Sequence, residues 1–255
     1  MPTPFYHLSV ARELLEHPVL AESVRAFLFQ ERAAFFFGCT APDVQTLSGQ
    51  ARFETHFFDL PLSINKLSPW KVLLRHHPDL AQPEMLDPSR GAFLIGYLLH
   101  LQADWRWVRE IFVPYFGKRS LWETFPRRLY LHNILRSYID QEILPSLTNG
   151  NQPQLHQAVP AAWLPFVDDH YLFLWRDFLA EQLQPGATVR TVEVFASRQG
   201  ISPEEYYQLL SSEERIQDEV FAYFPREHLA NYRQALIDEN LQLINDYLRN
   251  MFNGI

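Results

Sequence analysis

The chain has 255 residues and is 47% hydrophobic and 15% aromatic, enough apolar material for one sizeable core. Its formal charge of −8 and pI near 5.7 exclude a domain-wide basic footprint for nucleic acid or anionic lipid, though not a local patch. A single cysteine, Cys39, excludes an intrachain disulfide.

From the N-terminus, "TPFYHLSVARELLEH" predicts a helix capped by Thr3, with Pro4 at its first position and a stop at His17-Pro18. Arg12, Glu13 and Glu16 fall where a secretory signal needs an unbroken apolar stretch. No run approaches the roughly 20 apolar residues that span a bilayer. The expectation is a soluble, cytoplasmic protein. "LAESVRAFLFQERAAFFFG" predicts a second helix with Gly38 as its C-terminal cap. Periodicity then fades from Cys39 to Leu67, an irregular stretch of functional length that holds Asp43 and His56.

Ser68-Pro69 opens a short helix, and Asp87-Pro88 opens a long apolar one running to about Val113. "SLWE", Ser120 to Glu123, is a capping-box pattern that predicts a helix through about Ile143. "TNGNQPQ" reads as a linker. "VDDHYLFLWRDFLAEQL" is amphipathic, and Asp168 to His170 within it reads first as a helix cap. Val189 to Phe195 has strand-like composition without a strand partner. "SPEEYYQLL" carries a second capping box, Ser202 to Glu205, and Arg226 to Phe252 forms a long terminal helix, either a lid or a dimer contact. The fold expected is all-α: a helical metal-site core over residues 1–148 and a helical C-terminal part, 149–255, packed on it within one domain.

Chemistry concentrates in "GAFLIGYLLHLQADWRW". His100 and Asp104 stand at i and i+4 and project from one face of an otherwise apolar helix. A structural hydrogen bond and a pair of metal ligands both satisfy that spacing. Burying a carboxylate without a charged partner is costly, however. His7, in "PFYHL", Asp43, in "APD", and His56, in "ETHFF", add two more imidazoles and a carboxylate in apolar settings. Three histidines and two aspartates are a donor set for zinc, which would also neutralise the buried carboxylates. Neither HExxH nor an adjacent His-Asp dipeptide occurs, which disfavours zincin proteases and HD-type phosphohydrolases.

In that order, His7, "FFFGCTAPD", "THFF" and "FLIGYLLHLQAD" resemble the bacterial zinc-dependent phospholipase C family, whose fold the single-strand nucleases of the P1 type share. The resemblance covers about the first half of the chain. It implies a multi-helix bundle with a longer helical C-terminal extension, a zinc cluster at the bottom of a cleft, and hydrolysis of phosphodiesters. Carried over by position, Asp43, His56, His100 and Asp104 would hold one zinc. His7 would hold a second, bridged by Asp104, where the family also uses its N-terminal amine. At the family's third zinc site this sequence departs, offering Glu110 and His132, with Arg136 in place of an acidic ligand. A guanidinium repels a cation, so that site is weakened or gone, and Arg136 becomes a candidate partner for Glu110 or a substrate phosphate.

The reading is thus a hydrolase with two zinc ions (one or three remaining open), Asp43 orienting or deprotonating the attacking water, and a small phosphodiester or phospholipid head group as substrate. Phe5, Tyr6, Phe57, Phe58, Trp105 and Trp107 crowd the ligands, and ordinary core packing explains them first. Two other readings stay open. One is a single-strand nuclease or 3′-nucleotidase, which the acidic charge disfavours. The other is a non-catalytic, metal-stabilised binding protein with a degenerate cluster.

Overall fold

The computed structural model describes residues 1–60, 67–117, 124–148 and 153–252, and every regular element among them is helical. In chain order these are α1 (Pro4–Glu16), α2 (Glu22–Gln30), α3 (Arg32–Gly38), α4 (Gln45–Ser48), α5 (Arg52–His56), α6 (Pro69–His76) and α7 (Pro88–Trp107). They are followed by α8 (Phe125–Thr148), α9 (Asp169–Gln182), α10 (Thr191–Gln199), α11 (Pro203–Leu210), α12 (Glu213–Ile216) and α13 (Arg226–Phe252). The all-α expectation therefore holds for the described residues. None of their helices is long and apolar enough to cross a membrane.

Most helix ends sit where the capping residues put them. Thr3 Oγ1 accepts from the Tyr6 amide at 3.3 Å, Asp87 caps α7 through Ser89, Asp168 caps α9 through His170 and Ser202 caps α11 through Glu204. Several expectations need correction. The second predicted helix breaks at Glu31 into α2 and α3. Gly38 is the last residue of α3 and does not adopt a left-handed cap. The stretch from Cys39 to Leu67, expected to be irregular, carries the short helices α4 and α5, while the run from Val189 to Phe195, strand-like in composition but given no strand partner, enters helix α10 at Thr191. The expected capping box at 120–123 and linker residues 149–152 lie outside the described residues, and α8 extends past Ile143 to Thr148.

Gly38 serves close packing. A Cβ on it would stand 1.9 Å from the Phe93 carbonyl oxygen, and one on Gly96 would stand 2.2 Å from that of Phe35. Helices α3 and α7 thus meet backbone to backbone, which only glycine permits. Helix α7 is apolar on nearly every side and is buried from Gly91 to Asp104, as expected of a helix surrounded by others. Beyond Trp107 it widens into a π-helical turn, Val108–Phe116, that accommodates Pro114.

The C-terminal helices close over this centre. Trp175 of α9 donates its indole N–H to the Thr40 carbonyl at 2.8 Å, Tyr232 of α13 donates to Ala103 at 2.9 Å, and Tyr247 donates to Leu80 at 2.7 Å. One continuous apolar cluster includes Leu8 and Phe93 as well as Leu179, Leu236 and Ile244. Helix α13 is a wall of the core in this arrangement.

Asp140 of α8 ties the N-terminus to α10. Its two carboxylate oxygens accept from the Thr3 and Thr191 hydroxyls, and Arg136 lies one turn away. Burial raises its pKa to about 7, against the pull of those hydrogen bonds and of Arg136. The unfolded chain releases this proton near pH 4 while the folded chain keeps it, so folding weakens as pH climbs from about 4 to 7. Asp140→Asn is expected to remove that dependence. Urea denaturation should show the variant gaining on the parent between pH 5 and pH 8 by up to about 2.5 kcal/mol. An unchanged difference across that range would refute the assignment.

Candidate metal centre

Gly96, His100 and Asp104 form a stripe along α7 at successive i, i+4 positions. Because Gly96 lets α3 approach, the Cys39 carbonyl at the end of α3 reaches His100 and accepts from Nδ1–H at 2.8 Å. A carbonyl can only accept, so the proton is on Nδ1 and the His100 Nε2 lone pair faces the interior. The remaining donors come from three other segments. His7, on α1, stacks on His100 with ring centroids 3.9 Å apart and 14° between planes. Asp43 sits in a 3₁₀ turn, Ala41–Val44, directly after α3. His56 ends α5, and its Nδ1 pairs with the Thr55 hydroxyl at 2.9 Å, again leaving Nε2 directed inward.

These five residues meet around Asp104. His7 Nε2 is 3.3 Å from Asp104 Oδ1, while His56 Nε2 and His100 Nε2 are 3.4 and 3.7 Å from Oδ2. His56 Nε2 is also 3.4 Å from Asp43 Oδ1. All three Nε2 atoms and Asp104 Oδ1 are buried with no hydrogen-bond partner. A tetrahedral zinc site with bonds of about 2.0–2.1 Å has ligand–ligand edges of roughly 3.3 Å. The separations here are therefore poor as hydrogen bonds and near those of ligands sharing an ion. Two ligand groups result, His7–His100–Asp104 and Asp43–His56–His100, each with its donor atoms within 4.8 Å of one another. They share His100, which has one lone pair to give. The donor chemistry fits zinc.

Electrostatically the cluster is a set of opposed shifts. Burial raises both carboxyl pKa values, but His100, His56 and His7 outweigh it at Asp104, which falls well below the usual range. At Asp43 burial pulls up as well, but the adjacent His56 and His100 imidazoles lower the value to about 2. Burial and the neighbouring His100 hold His7 near 4. At His100 burial pulls down, Asp104 and Asp43 pull up, and the net shift is upward. The Met1 amino group is buried nearby, where desolvation lowers its pKa and the fields of Asp104 and Asp43 oppose that drop.

No family model, curated protein or solved structure matches the chain. Function has to be read from the donors and their surroundings.

One participant was not legible as a site residue. Arg52, one turn before His56 on α5, places Nη2 2.6 Å from Asp104 Oδ2 and lays its guanidinium 5.0 Å over the Phe58 ring. The i, i+4 spacing of Arg52 and His56 was its only sequence signal. Cys39 is buried, which pushes its thiol pKa up and leaves it unreactive; its carbonyl matters instead.

The remaining candidates separate. Glu110 is exposed and pairs with Arg106 at 3.0 Å. His132 accepts the Trp107 indole N–H at 2.9 Å and is enclosed by Phe112 and Phe116. Burial, then Arg136, lowers its pKa well below the ordinary value. The weakened third site proposed from Glu110 and His132 is therefore not assembled: one is committed to a surface ion pair, the other to an aromatic core. Arg136 does not reach Glu110 either. Its Nη1 donates to the Met1 carbonyl at 3.0 Å, and its guanidinium lies 4.0 Å over Phe195. Phe5, Tyr6, Phe57, Phe58 and Trp107 are core residues, whereas Trp105 is partly exposed beneath Arg109.

A cavity of about 290 Å³ opens beside the cluster, between the N-terminal segment, α9 and α10. Asp43 and Arg52 are the residues that face both the cluster and this space. No described residue of α13 lines it.

Proposed function

We propose that the chain is a zinc-dependent hydrolase of small phosphodiesters, of the phospholipase C kind that the order of its donors resembles. The observation that carries this reading is the ring of three orphaned Nε2 atoms around Asp104, next to a cavity that Asp43 and Arg52 enter. Asp43, His56 and His100 would make one donor set, beside Asp104, whose Oδ2 is paired with Arg52. His7 and Asp104, with the shared His100, would make the second.

Zinc held by these residues would supply Lewis acidity toward a phosphoryl oxygen and lower the pKa of a bound water. The protein supplies the rest. Asp43 is the donor on the cavity side and orients water arriving there. Arg52 neutralises Asp104 Oδ2 and lines the cavity, where its guanidinium is a donor for a phosphate oxygen. Thr55 and the Cys39 carbonyl hold the imidazoles in the tautomers that leave Nε2 free.

A second reading, a metal-stabilised protein without turnover, is favoured by one observation. His7, His56, His100 and Asp104 are each less than 5% exposed, and a four-donor set is the pattern of a closed, structural zinc. Metal analysis combined with hydrolysis of bis-p-nitrophenyl phosphate separates the two. The hydrolase reading expects bound zinc, turnover abolished by chelator and turnover restored by zinc. Bound zinc without turnover of lipid, nucleotide or artificial diesters selects the structural reading, and protein that takes up no zinc contradicts both. Long nucleic acid fits poorly with a net charge of −8 and so small a cavity.

A further inference from the structure

Helix α10 presents Thr191, Val194, Phe195 and Arg198 to the cavity at i, i+3, i+4 and i+7, and Arg190 precedes them at its N-cap. Arg136 enters from α8, below Phe195. Several arginines elsewhere hold carboxylates, as Arg12 does Glu16, Arg106 Glu239 and Arg233 Glu13, unlike Arg136, Arg190 and Arg198. Arg198 donates to the Thr46 hydroxyl at 3.3 Å, Arg190 lies over the Phe178 ring, and Arg136 is held by the Met1 carbonyl and Asn133. Arg136 Nε is buried without a partner.

Such a concentration of positive charge is unusual in an acidic chain. Arg198 is close enough that its charge, after burial and against Asp140, helps lower the pKa of Arg136 to about 10. Against these three stand Asp43, the acidic residue among the described ones that line the cavity, which faces His56, and Asp140, whose oxygens are engaged by the Thr3 and Thr191 hydroxyls. Arg52 does not add to the surplus, because Asp104 already neutralises it.

We infer that Arg136, Arg190 and Arg198 form an anion subsite distinct from the metal centre, which binds a terminal phosphate monoester on the ligand. A dianion answers this surplus better than a carboxylate, which would leave most of it unbalanced, and guanidinium forks match phosphate oxygens in pairs. Phe195, Phe178 and Trp175 supply an apolar wall for the organic part. Resting on the hydrolase reading, this narrows the substrate to a small diester that also carries a free phosphate. It argues against a quaternary ammonium head group, which three cations would repel.

Calorimetric titration of the full-length, as-purified protein with phenyl phosphate, benzoate and choline tests the subsite without reference to turnover. Phenyl phosphate is expected to bind at least tenfold more tightly than benzoate, and choline not at all, with affinity falling as salt rises. Arg190→Ala and Arg198→Ala, both at exposed positions, should each weaken phenyl phosphate about tenfold, with Arg198→Lys intermediate. His100→Gln, which disables the metal centre, should leave this affinity within twofold. Unchanged affinity in both alanine variants, equal affinity for benzoate, binding of choline, or loss of phenyl phosphate binding in His100→Gln would each overturn the subsite. Failure of the hydrolase reading alone would appear as absent turnover with the arginine-dependent binding intact.

Discussion

His100→Gln is expected to empty the metal centre and reduce bis-p-nitrophenyl phosphate turnover by about a thousandfold or more, since several kcal/mol of charge stabilisation leave with the ion. The position is decisive because both ligand groups draw on the same Nε2 lone pair. His100→Ala should lose metal equally, but with a second cost. It strands the Cys39 carbonyl, a buried acceptor whose loss of partner is worth about 1–3 kcal/mol. Glutamine keeps an N–H for that carbonyl. Metal content, turnover and urea midpoint measured for the two variants therefore separate coordination from folding. If His100→Gln retained zinc at the parental stoichiometry, the centre would not be built as described.

Gly96→Ala is the other large effect, and it acts from a full turn away. The new methyl would lie 2.2 Å from the Phe35 carbonyl oxygen and 2.7 Å from the Cys39 amide nitrogen, both backbone atoms that cannot rotate aside. Helix α3 must shift, which is expected to cost about 3 kcal/mol or more and to draw the Cys39 carbonyl off His100. Zinc affinity should fall together with stability. Gly91→Ala is the control on the same helix. Its methyl would meet only the tip of the Phe27 ring at 3.8 Å, and alanine's helix propensity should leave stability unchanged or raise it by up to about 1 kcal/mol. Thermal unfolding and zinc titration of both variants check the pair; equal behaviour would show that the α3–α7 contact does not position the site.

Four of the five candidate donors were legible because each broke a local rule. An imidazole or carboxylate inside an apolar helix or beside aromatic residues demands a partner, and His7, His56, His100 and Asp104 all stood in such places. The helices were legible from caps and periodicity for a similar reason: Thr3, Asp87 and Ser202 announce their turns within three residues. What escaped depends on tertiary contacts. Gly38 has the sequence signature of a cap, but its role is set by Phe93, 55 residues away. Arg52 looks like a solvated helix residue until α7 brings Asp104 to it. Glu110 and His132 have ligand chemistry, yet Arg106 and Trp107 occupy them. The run from Val189 to Phe195 has strand composition, and its helical form rests on the burial of Val192, Phe195 and Ala196 in the folded chain.

Anomalous diffraction at the zinc absorption edge, on crystals grown with zinc, tests the convergence of these side chains most directly. The strongest peak is expected within about 2.0–2.2 Å of an Asp104 oxygen and of the His56 and His100 Nε2 atoms, with Asp43 completing the shell. A map with no peak there, and the imidazoles only hydrogen-bonded to carboxylates, would show a buried polar network and no metal centre.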